Sequence, residues 1–223
     1  YTHTGTLRGE RITVMSTGIG TENIDIVMNE LDALVNIDLK NKEFKNDHTA
    51  LKLFRMGTCG SVNPEIEVDQ MLVTENVVGL DGLMHFYQDY AFENKFSKNF
   101  MEKFPYEKIK PMLYFSDWAE ELSELYKDAK YRGNTATFPG FYAPQGRQLR
   151  LKALDDKFLE TLNDLGVTNF EMETSAIYAL SKLLGHKAIT VNSVIANRRR
   201  GEFSADHHAS ERNMIEWVLD RII

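Results

Sequence analysis

One cysteine, Cys59, stands in the whole chain. No intrachain disulfide can therefore staple the fold, and a reducing compartment is expected. Such a lone cysteine is read as a small core residue. No apolar run approaches the roughly 20 residues a membrane-spanning helix needs. No signal-peptide pattern is present, so a cytoplasmic protein is expected. An excess of positive charge is also missing: 26 Lys and Arg face 33 Asp and Glu, a net charge of −7. That balance counts against nucleic acid or an anionic membrane as partner, though a local basic pocket could still take a small anion. His207 and His208 have no Cys or His at metal-ligand spacing, so no metal site is expected. Proline is scarce, with five in 223 residues, and two of these, Pro139 and Pro144, fall in one short stretch.

Apolar residues make up 43% of the chain, with 13 Phe and 9 Tyr, enough for one sizeable core. Strand-like and helix-like segments alternate. Residues 2–8 and 11–16 read as strands joined at Gly9. A helix follows, with Ile24, Val27, Met28, Leu31, Leu34 and Val35 on one stripe. Residues 36–50 read as a polar loop, with His48 solvated. Leu51–Met56, Gln70–Val78, Tyr131–Phe138 and Lys187–Ala196 read as strands, the last strongly apolar and central. Helices are expected over 117–129 with Ser116 as cap, over Asp155–Leu165 closed by Gly166, from Glu173 to Gly185, and over 209–222. The alternation predicts a single α/β domain with a mixed, largely parallel central sheet flanked by helices. Ligands in such sheets bind just beyond the ends of strands.

Four stretches at such positions carry chemistry. Phe138–Arg147 holds Pro, Gly, Pro and Gly within nine residues, so it is a loop, yet it carries three aromatic rings, an amide and a guanidinium. In extended backbone Gln145 and Arg147 would point the same way and could grip the edge of a planar polar ring, with Phe141 or Tyr142 on its face. A surface turn with packed aromatics is the bland alternative. Arg55-Met-Gly-Thr sets a cation beside the Thr58 hydroxyl and the Gly57 backbone, suited either to an oxyanion or to a structural carboxylate. Ser16-Thr-Gly-Ile-Gly is a glycine turn before a helix. A dinucleotide fingerprint would need Gly where Asn23 stands, which excludes NAD on this pattern. In Glu171-Met172-Glu173, Glu173 either sits at a helix N-terminus for its dipole or accepts hydrogen bonds from sugar hydroxyls. Of Arg198, Arg199 and Arg200, Arg198 is the one expected to face a site.

Taken together, Ser16-Thr-Gly-Ile-Gly, Arg55-Met-Gly-Thr-Cys-Gly, Phe141-Tyr-Ala-Pro-Gln-Gly-Arg and Asn169-Phe-Glu-Met-Glu resemble uridine phosphorylases of the nucleoside phosphorylase family. The resemblance covers nearly the whole chain and implies phosphorolysis of uridine to uracil and ribose 1-phosphate. It implies that Arg55, Gly57 and Thr58 hold phosphate, and that Gln145 and Arg147 hold the uracil edge. Glu173 would hold the ribose hydroxyls, with Glu171 and Met172 beside it. Phe141, Ile195, Ala196 and Arg198 would line the pocket. No organic cofactor is implied; inorganic phosphate is the co-substrate, and a monovalent cation at a subunit contact is allowed. A homo-oligomer, dimer or hexamer, is implied. Purine-cleaving relatives carry an acid in the stretch that here reads Val191–Asn197, which has none. The family's first strand and its Gly-Asp-x-x-Arg phosphate loop are not matched, so residues 1–223 are expected to be one domain incomplete at its N-terminus. A purine nucleoside phosphorylase, a nucleosidase and a non-catalytic nucleoside binder are the alternatives.

Overall fold

The computed structural model describes residues 1–222. An antiparallel hairpin of β1 (Thr2–Leu7) and β2 (Glu10–Met15) opens the chain, turning at Arg8 and Gly9. Helix α1 (Thr21–Asn36) buries Ile24 and Met28, while Leu34 of the expected stripe stays 61% exposed. The stretch expected as loop contains a small hairpin, β3 (Ile37–Asp38) and β4 (Glu43–Phe44). Asp38 closes its turn by accepting the backbone N–H groups of Lys40 and Asn41, which also hold its carboxyl below its ordinary range.

The main sheet is built from β5 (Lys52–Ser61), β6 (Met71–Gly79), β7 (Tyr114–Asp117), β8 (Tyr131–Thr137), β9 (Val167–Glu171), β10 (Lys187–Asn197) and β11 (Glu202–Phe203). Its order is β11-β10-β5-β9-β8-β6-β7. The pairs β10–β5, β6–β8 and β8–β9 are parallel, and the others are antiparallel. Strand β10 also pairs with β6 through Val191–Ser193, which curls the sheet into a closed ring of five strands. Strand β10, inside that ring, is buried along nearly its whole length and so carries mostly apolar residues on both faces.

Helices wrap this ring. Helix α5 (Thr174–Leu183) packs Ala176, Tyr178 and Leu180 beside Ile24 and Met28 of α1. Helix α6 (His207–Ile222) sets Met214 and Val218 on Ile189 and Val191. Helix α2 (Lys95–Lys103) and helix α4 (Phe158–Asp164) enclose an aromatic core of Phe100, Phe104, Phe115, Phe138, Phe158 and Phe170. Burial of each such ring stabilises the fold by about 1.5–3 kcal/mol. Cys59 is buried, and burial pushes its thiol up to about 12, in keeping with an inert core role.

The helix expected over 117–129 is a correction. Asp117 ends β7, Ser116 is a buried strand residue rather than a cap, and α3 covers only Glu120–Ser123 before tightening into a 3₁₀ turn over Glu124–Tyr126. Pairing of β7 with Asn76–Gly79 of β6, and burial of Phe115 against Phe96 and Phe100, outweigh the local helical pattern. Helix α2, absent from the sequence reading, is started by a reciprocal capping box between Asn94 and Ser97. Among the described residues no helix is long and apolar enough to cross a membrane.

Candidate functional site

Strand β9 ends in Glu171, and α5 begins three residues later. Glu171, not Glu173, caps that helix: its Oε2 accepts the backbone N–H groups of Glu173 (3.0 Å) and Thr174 (2.9 Å) and the Thr174 hydroxyl (2.8 Å). Its Oε1 accepts the Thr137 hydroxyl at 2.7 Å. Thr137 in turn accepts the Ser175 N–H at 3.0 Å. Glu171 is therefore engaged on both oxygens, and its charge lies against the positive end of α5. Met172 separates it from Glu173.

Relieved of capping, Glu173 turns outward from the helix start. Its Oε1 accepts the Gly20 N–H at 2.7 Å, and its Oε2 accepts from Arg55 Nη2 at 2.6 Å. Gly20 has φ +96°, a backbone that side-chain-bearing residues avoid, and this conformation aims its N–H at the carboxylate. Thus the glycine turn serves Glu173 directly.

Arg55 rises from β5 between the two acids. Its Nη2 lies 3.0 Å from Glu171 Oε2 as well, and its Nη1 donates to Asn192 Oδ1 at 2.7 Å. Burial alone would lower the pKa of Arg55, but Glu171 and Glu173 outweigh it and hold the guanidinium above its ordinary value. The guanidinium folds back over Gly57: a Cβ at that position would lie 2.5 Å from Nη1. Thr58 follows on the same strand.

The aromatic loop forms the other half. Its backbone differs from the extended form expected. Ala143–Gln145 is a 3₁₀ turn, and Gly146 follows at φ +70°. Pro144 and Gly146 favour this tight turn, which brings Gln145 and Arg147 together by folding rather than by alternation. Arg147 Nη1 donates to Gln145 Oε1 and, at 2.8 Å, to the Phe141 carbonyl. Its guanidinium lies 3.8 Å from the centre of the Phe141 ring. Gln145 is buried, while Phe141 and Tyr142 meet edge-on and stay half exposed. Burial, and then the charge of Arg198, pull Arg147 below its ordinary pKa. Two cations thus stand near each other. Arg198 follows β10, its N–H bound to the Ser61 carbonyl at 2.9 Å. Arg199 and Arg200 instead pair with Glu160 and Glu202 at the surface. Ile195 and Ala196 lie at the end of β10, half buried and buried respectively.

The two halves are joined through backbone: the Phe138 N–H, where the loop begins, donates to the Glu171 carbonyl at 2.9 Å. Asn192 and Thr137 are the residues that sequence reasoning missed. Asn192 had one available signal, the only amide inside the mostly apolar run Ala188–Ala196. His48 and His186 stack with Asp32 nearby. His186 Nδ1 accepts the Leu51 N–H, so the neutral ring carries its proton on Nε2, 3.3 Å from Asp32 Oδ1. That tautomer leaves neither ring nitrogen a free lone pair for a metal, and Nε2 is buried without a hydrogen-bond partner among the described residues.

A family model described as the phosphorylase superfamily matches residues 1–222. The chain is 30% identical over 207 residues to a uridine phosphorylase of Thermococcus kodakarensis, covering 91% of this chain and 64% of that protein's length. It is 27% identical over 226 residues to a DeoD-type purine nucleoside phosphorylase of Oceanobacillus iheyensis, covering 100% of this chain and 80% of that one. Among solved structures, a Trypanosoma brucei nucleoside phosphorylase described as showing uridine phosphorylase activity superposes with a TM-score of 0.83 at 27% identity, covering 99% of this chain and 82% of that one.

Proposed function

The chain belongs to the phosphorylase superfamily, and from that premise we propose that it cleaves uridine with inorganic phosphate, releasing uracil and ribose 1-phosphate. The observation that carries the choice of base is Arg147, laid on Phe141 and paired with Gln145, with no carboxylate from Val191 to Asn197. A guanidinium and an amide suit a base that leaves as an anion. A purine that leaves after protonation calls for an acid.

In this reading a phosphate oxygen attacks C1′ as the C1′–N1 bond breaks, and the bonding pair passes into the uracil ring. Arg147 and the Gln145 amide group donate to the ring oxygen where that charge collects, so they act most strongly in the transition state. Arg55, Thr58 and the Gly57 backbone hold the phosphate. Glu173 accepts from the ribose hydroxyls and fixes the sugar for in-line attack. Met172, Phe141, Ile195 and Ala196 wall the pocket, Arg198 adds positive charge near the base, and Glu171 keeps Arg55 and α5 in place. No organic cofactor takes part. A homo-oligomer in the cytoplasm belongs to the same reading.

The test is incubation of the protein with uridine, with and without orthophosphate, with product nucleobase followed by chromatography. Phosphate-dependent uracil release is expected. Ready cleavage of inosine without cleavage of uridine would assign a purine enzyme. Uracil release indifferent to phosphate would assign a nucleosidase, and uridine binding without turnover a binder.

A further inference from the structure

Asn192 is fully buried in the middle of β10. An amide there must find partners or be replaced by a hydrocarbon. Its Oδ1 accepts from Arg55 Nη1 at 2.7 Å, and its Nδ2 donates to the Thr74 hydroxyl at 3.3 Å. Thr74 meets the Thr135 hydroxyl at 2.6 Å, and Thr135 donates to Asn169 Oδ1 at 2.9 Å. The direction of this chain is fixed by Arg55, which has no acceptor. The amide must face it with oxygen, so its NH₂ faces Thr74. Thr135 spends its proton on Asn169, so Thr74 donates to Thr135. One polar residue from each strand of the closed ring, on β5, β10, β6, β8 and β9, thus joins a single line that ends on Arg55.

Arg55 is otherwise held by carboxylates alone, Glu171 and Glu173. Those contacts neutralise the charge that an oxyanion needs. Asn192 fixes the other nitrogen without adding charge. We propose that Asn192 is a positioning residue for oxyanion binding: it sets the plane of the Arg55 guanidinium and, being neutral, leaves that guanidinium available to phosphate. The inference rests on the reading of Arg55 as the phosphate-binding residue. It adds that an uncharged side chain at 192 is a condition of that binding.

Calorimetric titration with inorganic phosphate, and separately with uridine, tests this in the wild type, Asn192→Ala and the isosteric Asn192→Asp. In Asn192→Ala the phosphate dissociation constant should rise at least tenfold, with uridine affinity within twofold of wild type. In Asn192→Asp the loss should be larger at pH 8 and shrink as the pH falls and the new carboxyl takes up a proton. A purely structural role would move both ligands together and show no such pH dependence. Unchanged phosphate affinity in Asn192→Ala overturns the proposal, as does equal weakening of both ligands. Should Asn192→Ala fail to fold, the pH response of Asn192→Asp decides alone. A wild type that cleaves uridine and binds phosphate, with variants that match it, sinks this inference and spares the functional reading. A wild type that binds no phosphate sinks both.

Discussion

Arg55 Nη2 lies 2.6 Å from Glu173 Oε2, so the cation assigned to phosphate and the carboxylate assigned to the sugar occupy each other. In the proposed reaction each substrate must draw its residue from this pair. Glu173→Gln weakens the pair while leaving Glu171 on Arg55. Loss of one charge-assisted bond of roughly 1.5 kcal/mol corresponds to about a tenfold change in affinity. Phosphate alone should therefore bind several-fold more tightly to Glu173→Gln, and uridine more weakly. Calorimetry with each ligand reads the two shifts, and movement in the same direction would contradict the exchange.

Gly57 lies beneath the folded guanidinium. A methyl group there would meet Arg55 Nη1, Cζ and Nη2 at 2.5, 2.6 and 2.7 Å. Arg55 cannot yield without leaving Glu171, Glu173 or Asn192. Gly57→Ala should raise the KM for phosphate by about tenfold or more, the cost of a displaced charged partner. Steady-state kinetics at varied phosphate would show it.

Arg147→Ala removes the donor that the proposed reaction sets against the charge on the leaving base. Loss of one such donor typically lowers turnover by about 10²–10³-fold. Its guanidinium rests on the half-exposed Phe141, so the fold should hold. Single-turnover uracil release is the measurement, and a rate within a few-fold of wild type would remove Arg147 from the reaction.

Thr137 is fully buried, donates to Glu171 Oε1 and accepts the Ser175 N–H. Thr137→Val keeps the shape and deletes both bonds. A buried carboxylate oxygen and a helix N–H lose their partner, which costs about 1–3 kcal/mol for an unsatisfied group. The urea midpoint should fall accordingly, with an unchanged slope.

His186 has a buried side chain, and burial holds its pKa below the ordinary 6.5, against the opposing pull of Asp32. Between that lowered value and 6.5 the unfolded chain binds a proton that the folded chain does not. Stability contributed here is present above pH 6.5 and is lost as the pH falls through that window. The melting temperature should drop on acidification from pH 7 towards 5.5, and His186→Gln should flatten this part of the profile.

Legibility followed the physics of each segment. Helix α5 and strand β10 were plain because their apolar patterns are long and a glycine closes the helix at Gly185, φ +73°. Strand β7 was hidden, since its four residues gain their ladder from Asn76–Gly79, remote in the chain. That Gln145 and Arg147 lie together was legible in the composition of their loop, but the geometry was misjudged: Pro144 and Gly146 close a turn that alternation does not describe. Of Glu171 and Glu173, two apart, the sequence pointed to Glu173 for the helix start, whereas Glu171 caps it. Their difference comes from what surrounds them, Thr137 and the α5 N–H groups for one, Gly20 and Arg55 for the other.

The sequence by itself determined the alternation of strands and helices, the kind of groups available and the loops that carry them, because hydrophobic period and turn chemistry are local properties. Which strands lie side by side, and therefore which single amide in an apolar run meets Arg55, was decided only when the sheet closed β10 onto both β5 and β6. Hydrogen bonds act over about 3 Å. The chain places Arg55 and Asn192 137 positions apart, and packing alone brings them within that reach.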